Sequence, residues 1–185
     1  MNLLRKSKPE RCFVKFFSGF CLKNEQELFE PFLDQTDYTV AGFSYGAQKA
    51  IEYALSATQR IDRIILLSPA FFKTRSKSFL RAQTHYFSID KDKYIQNFLT
   101  NISLPNGKID LKKYIDDGDI KQLEELMSYE WSDDTLITLK NRGIKIEVFL
   151  GEEDRIIDSK SALDFFSKYT ITYFIKKAGH LLNVK

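Results

Sequence analysis

Short apolar runs recur along the chain and predict buried strands. Each run is rich in β-branched or aromatic residues, and several are followed by glycine, serine or proline. Five runs have this character: Cys12 to Phe17, Tyr38 to Ala41, Arg63 to Leu67, Lys145 to Leu150 and Ile171 to Ile175. Helical patterns lie between several of them, which is typical of a parallel sheet joined by crossover helices.

Amphipathic stretches between the runs predict these helices. Asn24 to Leu33 and Ser159 to Tyr169 each place apolar residues on one face, and Ser159 is a plausible N-cap. Ala47 to Ala57 is rich in good helix formers. The residues predicted to face inward are Leu28, Phe29 and Phe32 in the first helix and Ala162, Leu163, Phe165 and Phe166 in the last.

The strand pattern disappears between Pro69 and Asn141. This stretch reads as helical and irregular, and Pro105-Asn106-Gly107 and Asp116-Asp117-Gly118 interrupt it. Because it follows the carboxyl end of a strand, where open α/β sheets bind ligands, we expect it to cover a site as a lid. The predicted division is a first part of the core at 1–69, a helical lid insertion at 70–141 and a second part of the core at 142–185.

Composition narrows the class of protein. A chain of 185 residues, 43% hydrophobic, fits one domain with a sizeable core. A net charge of +3 does not favour nucleic-acid binding. The N-terminus lacks the apolar run of a signal peptide and no stretch has the length of a membrane span, so we expect a soluble, cytoplasmic protein. Cys12 and Cys21 form no metal-binding pattern and fit a reducing compartment. The sequence does not indicate an oligomeric state.

A candidate nucleophile lies in Gly42-Phe43-Ser44-Tyr45-Gly46. This is a G-x-S-x-G pattern between a predicted strand and a predicted helix. The tight turn predicts a strained backbone at Ser44, with its hydroxyl above a helix N-terminus where developing negative charge is favoured. The alternative is a glycine-rich turn with an incidental serine, and the pattern alone leaves that interpretation open.

A nucleophilic serine needs a general base. The chain has two histidines, His85 in the predicted lid and His180 just after the last predicted strand. In hydrolases whose nucleophile lies in a G-x-S-x-G turn between a strand and a helix, the acid and then the histidine follow the serine along the chain. Only His180 fits the expected end of that order. The alternative for His180 is a surface histidine near a chain terminus.

The acid is expected after the penultimate strand. Asp154 is the better candidate for orienting His180 and stabilising its imidazolium form. Glu152 and Glu153 are nearer the strand and are expected to be solvated. Asp158 is a weaker alternative, which instead suits a helix cap.

Two backbone N–H groups are the candidate oxyanion donors. One belongs to Tyr45, the residue after the nucleophile, and the other to a loop after an earlier strand. Here the first predicted strand is followed by Ser18-Gly19-Phe20, which makes the Phe20 N–H the second donor.

Together these motifs resemble the α/β-hydrolase superfamily over essentially the whole chain. They more narrowly resemble the pimeloyl-[acyl-carrier protein] methyl ester esterases of biotin synthesis, especially the short BioV type, because the chain is unusually short. The resemblance implies a compact α/β-hydrolase fold with a mostly parallel sheet, flanking helices and a helical lid. It also implies hydrolysis of one methyl ester on a pimeloyl chain held by acyl carrier protein, with Ser44, His180 and Asp154 as the catalytic residues.

By the same resemblance, Phe20 and Tyr45 donate to the oxyanion, and no metal or organic cofactor is implied. The chain departs from full-length hydrolases by starting at their third usual strand, which leaves the strand count open. Two other functions stay open. One is a generic small-ester or thioester hydrolase using the same residues. The other is a non-enzymatic binding protein that keeps the scaffold.

The predicted lid is rich in basic and aromatic residues. A basic lid would attract an acidic carrier protein, with Arg75, Lys77, Arg81 and Phe79 as the candidate contacts. A solvated helix face explains the charges equally well. The basic residues between 71 and 93 are Lys73, Arg75, Lys77, Arg81, Lys91 and Lys93, against Asp90 and Asp92. The phenylalanines that suit either an acyl tunnel or a small lid core are Phe71, Phe72, Phe79, Phe87 and Phe98.

Overall fold

Five parallel strands form the central sheet of the computed structural model, which describes residues 14–33, 36–105, 107 and 109–184. Every neighbouring pair is parallel, and the order across the sheet follows the order along the chain. The strands are β1 (Lys15–Phe17), β2 (Thr39–Phe43), β3 (Arg63–Leu67), β4 (Lys145–Gly151) and β5 (Ile171–Ile175). The predicted α/β class with a parallel sheet is therefore confirmed.

The strand bounds differ from the predicted runs only at some ends. The bounds of β3 and β5 coincide with the predicted runs, whereas β2 continues to Phe43 and β4 to Gly151. The first run was predicted from Cys12, which lies outside the described residues. Within the described part of the chain, β1 begins at Lys15 and forms one edge of the sheet.

Six α-helices surround the sheet in the described residues. They are α1 (Tyr45–Ser56), α2 (Lys77–Ile89), α3 (Lys91–Ile102), α4 (Ile120–Ser128), α5 (Asp133–Asn141) and α6 (Ser159–Phe166). The helix predicted over 24–33 is a 3-10 helix at Glu25–Phe32, and a second 3-10 helix spans Lys112–Tyr114. None of the helices in the described ranges is both long and apolar enough to cross a membrane.

The N-cap prediction for α6 was wrong. Asp158 is the N-cap, and its carboxylate accepts hydrogen bonds from the backbone N–H of Ser161 at 3.1 Å and from the Ser161 hydroxyl at 2.7 Å. Ser159 is the first helical residue and is buried. A carboxylate one residue earlier reaches the free N–H groups of the first turn, which a side chain inside that turn does not.

Both faces of the sheet are buried by apolar side chains. In β3, Ile64 and Leu66 belong to a cluster with α1 and α6, whereas Ile65 and Leu67 belong to a second cluster with Phe29 on the opposite face. This division follows from the alternation of side chains along a strand. Burying each such side chain stabilises the fold by about 1.5–3 kcal/mol, so the central strand anchors the residues at its carboxyl end.

The segment between β3 and β4 contains α2 to α5 and lies against the core at defined points. The Trp131 indole N–H donates to the Ala70 carbonyl at 2.9 Å. The buried amide of Gln48 on α1 donates to the carbonyls of Ala70 and Leu126, both at 3.1 Å. The strand-free stretch is thus helical and attached beside the carboxyl end of β3, while its role as a separate lid at 70–141 stays a prediction.

Candidate active site

Ser44 lies in a one-residue turn between β2 and α1. Its backbone has φ 53° and ψ −112°, a combination that residues other than glycine rarely adopt. Two hydrogen bonds hold this conformation: the Ser44 N–H donates to the Leu67 carbonyl at 2.9 Å, and the Ser44 carbonyl accepts from the Ala70 N–H at 3.1 Å. The strand register therefore fixes where the Ser44 hydroxyl lies, at the carboxyl edge of the sheet.

The two glycines of the motif are required by close backbone contacts. A Cβ atom at Gly42 would lie 2.1 Å from the Gly46 carbonyl oxygen, and one at Gly46 would lie 1.9 Å from the Phe17 carbonyl oxygen. A side chain at Gly42 would push the turn away from the start of α1, and one at Gly46 would push α1 away from the end of β1. The G-x-S-x-G spacing thus has a steric cause in this fold.

The structure brings Ser44, His180 and Asp154 together in one buried hydrogen-bonded chain. The Ser44 Oγ lies 3.0 Å from Nε2 of His180, and Nδ1 of His180 lies 2.6 Å from Oδ2 of Asp154. With the ring proton on Nδ1, that nitrogen donates to Asp154 and Nε2 accepts from the Ser44 hydroxyl. The side chains of His180 and Asp154 are fully buried, so water does not compete for these hydrogen bonds.

Backbone contacts orient Asp154. Its Oδ1 accepts hydrogen bonds from the N–H groups of Ile156 at 2.7 Å and Ile157 at 3.3 Å, which leaves Oδ2 for His180. Glu152 and Glu153 are exposed, as expected. Asp158, the alternative acid, caps α6 instead.

The loop that carries His180 packs tightly on its neighbours. A Cβ atom at Gly179 would lie 1.9 Å from the Leu104 carbonyl oxygen, and one at Gly151 would lie 2.2 Å from the Gly179 carbonyl oxygen. The Phe43 ring contacts the imidazole, with 5.1 Å between the ring centroids. These contacts fix the imidazole between the serine and the aspartate.

One predicted oxyanion donor belongs to the residue after Ser44, and the other belongs to a residue that lines the same cavity as Ser44. Tyr45 is the first residue of α1, so its N–H has no acceptor within its own helix. Phe20 follows β1 and lines the same cavity as Ser44. The Tyr45 side chain points elsewhere: its hydroxyl donates to Oε2 of Glu125 on α4 at 2.7 Å. The roles of the two N–H groups as oxyanion donors stay predictions.

A cavity of about 550 Å³, lined by both apolar and polar side chains, opens beside Ser44. Helices α2, α3 and α4 supply most of its walls. Of the five phenylalanines with two open interpretations, Phe72, Phe79 and Phe98 line this cavity. The other two belong to the core: Phe71 packs on Phe165 and Phe166, and Phe87 packs on Phe20 and Tyr94. The five rings are thus divided between the cavity wall and the core, and an acyl tunnel stays a prediction.

Several cavity residues were not identified from the sequence. The clearest set is on α3, where Tyr94, Asn97 and Asn101 line the cavity beside Phe98, which was already a candidate. Their spacing of three, four and seven residues marks one helix face, so the periodicity contained the signal. Arg155, directly after Asp154, also lines the cavity. It had no such signal, because its position depends on how the loop folds.

The basic residues of α2 and of the segment that leads into it have different surroundings. The Arg75 guanidinium stacks over the Phe79 ring at 5.0 Å. Lys77 and Arg81 are exposed, and neither makes an ion pair with any described residue. Lys73 donates to the Trp131 carbonyl at 3.4 Å and Lys91 pairs with Asp117, so these two charges have partners within the fold.

Other reactive groups offer no second centre in the described part of the chain. No cluster of His, Cys, Asp and Glu side chains there is placed to hold a metal ion. Cys21 is buried, and this burial raises the pKa of its thiol to about 12, so it is not a thiolate at neutral pH. Cys12 lies outside the described residues.

Comparison with known proteins supports the fold. No protein-family model matches this chain, and no curated protein matches it in sequence. Among solved structures it is similar to MenH from S. aureus, with 14% identity over 94% of this chain and 90% of that one and a TM-score of 0.62. It is also similar to the naproxen esterase (carboxylesterase NP) from Bacillus subtilis, with 15% identity over 95% and 79% of the two chains and a TM-score of 0.63.

A third similar structure is Est816, described as an N-acyl homoserine lactone degrading enzyme, with 13% identity over 93% and 87% of the chains and a TM-score of 0.65. Against two further hydrolases the chain spans only 54% and 57% of their length. At these identities the likeness establishes the fold. The chain has the α/β-hydrolase fold, as its resemblance to that superfamily implied, with five parallel strands in the described residues.

Proposed function

We propose that this protein is a serine hydrolase that cleaves carboxylic esters. The observation that carries the proposal is the buried chain of two hydrogen bonds from Ser44 through His180 to Asp154, at 3.0 and 2.6 Å. A serine in a strained turn, a histidine within reach of its hydroxyl and a buried carboxylate behind that histidine are the parts that nucleophilic acyl transfer needs.

The geometry supports the following sequence of steps. Oγ of Ser44 attacks the ester carbonyl carbon while Nε2 of His180 takes the hydroxyl proton. The carbonyl oxygen becomes an oxyanion, and the N–H groups of Phe20 and Tyr45 donate to it. The C–O bond to the alcohol then breaks, and the alcohol leaves with the proton from His180. Water, activated by the same histidine, hydrolyses the acyl-serine and releases the carboxylic acid.

Within this class we propose a narrower substrate, the methyl ester of a pimeloyl chain on acyl carrier protein, handled in the cytoplasm as a step of biotin synthesis. The cavity of about 550 Å³ beside Ser44 supports it, because a space of this size with Phe72, Phe79 and Phe98 in its wall accommodates an acyl chain. The exposed cations Lys77 and Arg81 on α2 also support it, because an acidic carrier protein requires a basic docking surface. Residues 70–141 would then act as the lid.

The direct test is incubation with pimeloyl-carrier methyl ester, following the loss of the methyl group by mass spectrometry. Labelling with a fluorophosphonate probe runs in parallel and reports an activated serine without regard to the substrate. We expect both demethylation and an adduct at Ser44. An adduct without demethylation would contradict the proposed methyl ester substrate. The absence of both would contradict the hydrolase function and favour a binding protein.

A hydrolase for small esters is the second candidate. It is favoured by the likeness to the naproxen esterase and Est816, whose names refer to other ester substrates. A panel of esters and thioesters of increasing acyl length distinguishes the candidates. Clear preference for a thioester or for a short free ester over the carrier-bound methyl ester would favour this second candidate.

Reversing two exposed charges on α2 tests carrier docking. We expect Lys77→Glu with Arg81→Glu to lower kcat/KM for the carrier-bound ester about tenfold, because the attraction to an acidic partner becomes repulsion. Turnover of a free methyl ester should stay within about twofold, since neither side chain lines the cavity.

The matched control is Lys160→Glu with Lys168→Glu, which changes the net charge equally at two exposed positions in and after α6. It should leave both substrates unaffected. Equal losses on both substrates in the α2 double variant, or the same loss in the control, would contradict docking at α2.

A further inference from the structure

Glu25 is a buried carboxyl group behind the loop that carries Phe20. It begins the 3-10 helix Glu25–Phe32, and its exposed fraction is 0%. Burial raises the pKa of this carboxyl, while hydrogen bonds from the Gly19 N–H and the Ser18 hydroxyl oppose the rise. A carboxyl group is costly to bury, so its position in a core otherwise built of apolar side chains calls for a physical reason.

That reason lies in one short contact. Oε1 of Glu25 accepts a hydrogen bond from the Gly19 N–H at 2.6 Å. On its other side, the Gly19 carbonyl accepts from the Leu22 N–H at 3.2 Å, closing a turn. Both polar groups of Gly19 are therefore engaged, and the peptide planes before and after it have fixed directions.

The direction of the Phe20 N–H follows from the second of these planes. In a trans peptide the C=O and the following N–H point in opposite directions. Because the Gly19 carbonyl points to Leu22, inside the turn, the Phe20 N–H points out of the turn. Phe20 also lines the cavity that contains Ser44.

The other backbone hydrogen bonds that join this loop to its neighbours lie further along the chain. The Cys21 carbonyl accepts from the Asp116 N–H at 2.9 Å, and the Lys23 N–H donates to the Tyr114 carbonyl at 2.8 Å. Cys21 and Asn24 both have φ 57°, in the left-handed region that non-glycine residues seldom adopt. A loop with two such residues needs support at its start as well, and Glu25 supplies it at Gly19.

We propose that Glu25 is a positioning residue for the oxyanion hole: by holding the Gly19 N–H, it fixes the start of the turn whose next peptide plane, bonded through the Gly19 carbonyl, directs the Phe20 N–H. This inference rests on the proposed hydrolase function. Glu25 itself does not line the cavity and acts through the backbone.

The test compares three substitutions at this position. Glu25→Leu removes the acceptor and Glu25→Asp withdraws it by one methylene. Both should lower kcat about 10- to 100-fold at an unchanged KM, somewhat less than the loss of an oxyanion donor itself. Glu25→Gln keeps an acceptor oxygen and should retain kcat within about threefold, because a neutral amide oxygen still accepts from Gly19.

A second readout separates positioning from a merely structural role. A trifluoromethyl ketone analogue of the ester forms a tetrahedral oxyanion on Ser44, and its affinity should fall in Glu25→Leu and Glu25→Asp by the same factor as kcat. Glu27→Gln is the matched control. This substitution removes an exposed carboxylate of the same 3-10 helix, and that carboxylate pairs with Lys113 and Tyr114. Both readouts should stay at their wild-type values.

The outcomes are distinct. A folded Glu25→Leu with unchanged kcat and ketone affinity would overturn the proposal, as would a fall in kcat without a fall in ketone affinity. If Glu25→Leu does not fold, Glu25→Asp decides by the same two measurements. A wild-type protein with no esterase activity and no fluorophosphonate adduct would overturn the hydrolase function, and the positioning role with it. Active wild type with unaffected variants would overturn the positioning role alone.

Discussion

Replacing Ser44 by alanine is expected to lower kcat for ester hydrolysis by about 10⁵- to 10⁶-fold while the protein stays folded. The hydroxyl is the group that forms the acyl intermediate, and it donates the proton that Nε2 of His180 accepts. The remaining turnover would come from the oxyanion donors and the cavity acting on water, which explains why the loss is large but finite.

The measurement is kcat and KM on a chromogenic ester together with fluorophosphonate labelling. KM should change little, because a single hydroxyl contributes little to ground-state binding of an apolar acyl chain. Circular dichroism and the thermal midpoint verify the fold. Ser44→Ala removes one oxygen and leaves the strained backbone in place, so we expect both to match the wild type.

Ser56→Ala is the matched control. Ser56 ends α1, the helix that begins directly after Ser44, and its hydroxyl is exposed and bonded only to helix carbonyls. Its loss should leave kcat and labelling unchanged. An adduct that persists in Ser44→Ala would place the nucleophile elsewhere and contradict the proposed mechanism.

The sheet could be predicted from the sequence because each strand is a short, self-contained apolar run. The bounds of β3 were predicted to the residue, since apolar clusters on both faces of the sheet require apolar side chains from Ile64 to Leu67. The end of β2 was not. Gly42 was interpreted as the start of the turn, whereas in the ladder Gly42 pairs with Leu66 and Phe43 with Leu67. Gly42 is required because Gly46 approaches it closely. In the sequence, however, a glycine at this position indicates the end of a strand.

The helix type at 25–32 shows a second limit. The apolar spacing of Leu28, Phe29 and Phe32 fits helices of 3.6 and 3.0 residues per turn about equally over so short a stretch. Pro31 lies inside the segment and removes one backbone N–H donor. The periodicity therefore located the helix, while its hydrogen-bond pattern depended on the backbone.

The residues of the site likewise fall into those that could be predicted from the sequence and those that could not. Ser44, Asp154 and His180 follow the carboxyl ends of β2, β4 and β5, and those ends meet at one edge of a parallel sheet, so their proximity could be expected from chain order. The positions of the cavity walls and of Glu25 could not be expected from chain order. They depend on how α2 to α4 and a 3-10 helix pack against that edge, and such long-range contacts leave little trace in local pattern.

Asparagine at position 154 provides the sharpest test of the acid, and we expect it to lower kcat about 10⁴-fold at a similar KM. The reason is orientation. The N–H groups of Ile156 and Ile157 both donate to Oδ1, so an amide at this position must place its oxygen there. Its NH₂ group then faces Nδ1 of His180, which becomes an acceptor and leaves the ring proton on Nε2. In that tautomer His180 donates toward Ser44 and no longer accepts its proton.

Two controls bracket this result. Glu153→Gln makes the same chemical change at the neighbouring, exposed position and should leave kcat unchanged. Asp158→Asn tests the alternative acid and should leave kcat unchanged, with little effect on stability, because asparagine caps a helix about as well as aspartate. A loss of less than about tenfold in Asp154→Asn would contradict its assignment. A larger loss in Asp158→Asn than in Asp154→Asn would transfer the role to Asp158, against the observed contact of 2.6 Å between Asp154 and His180.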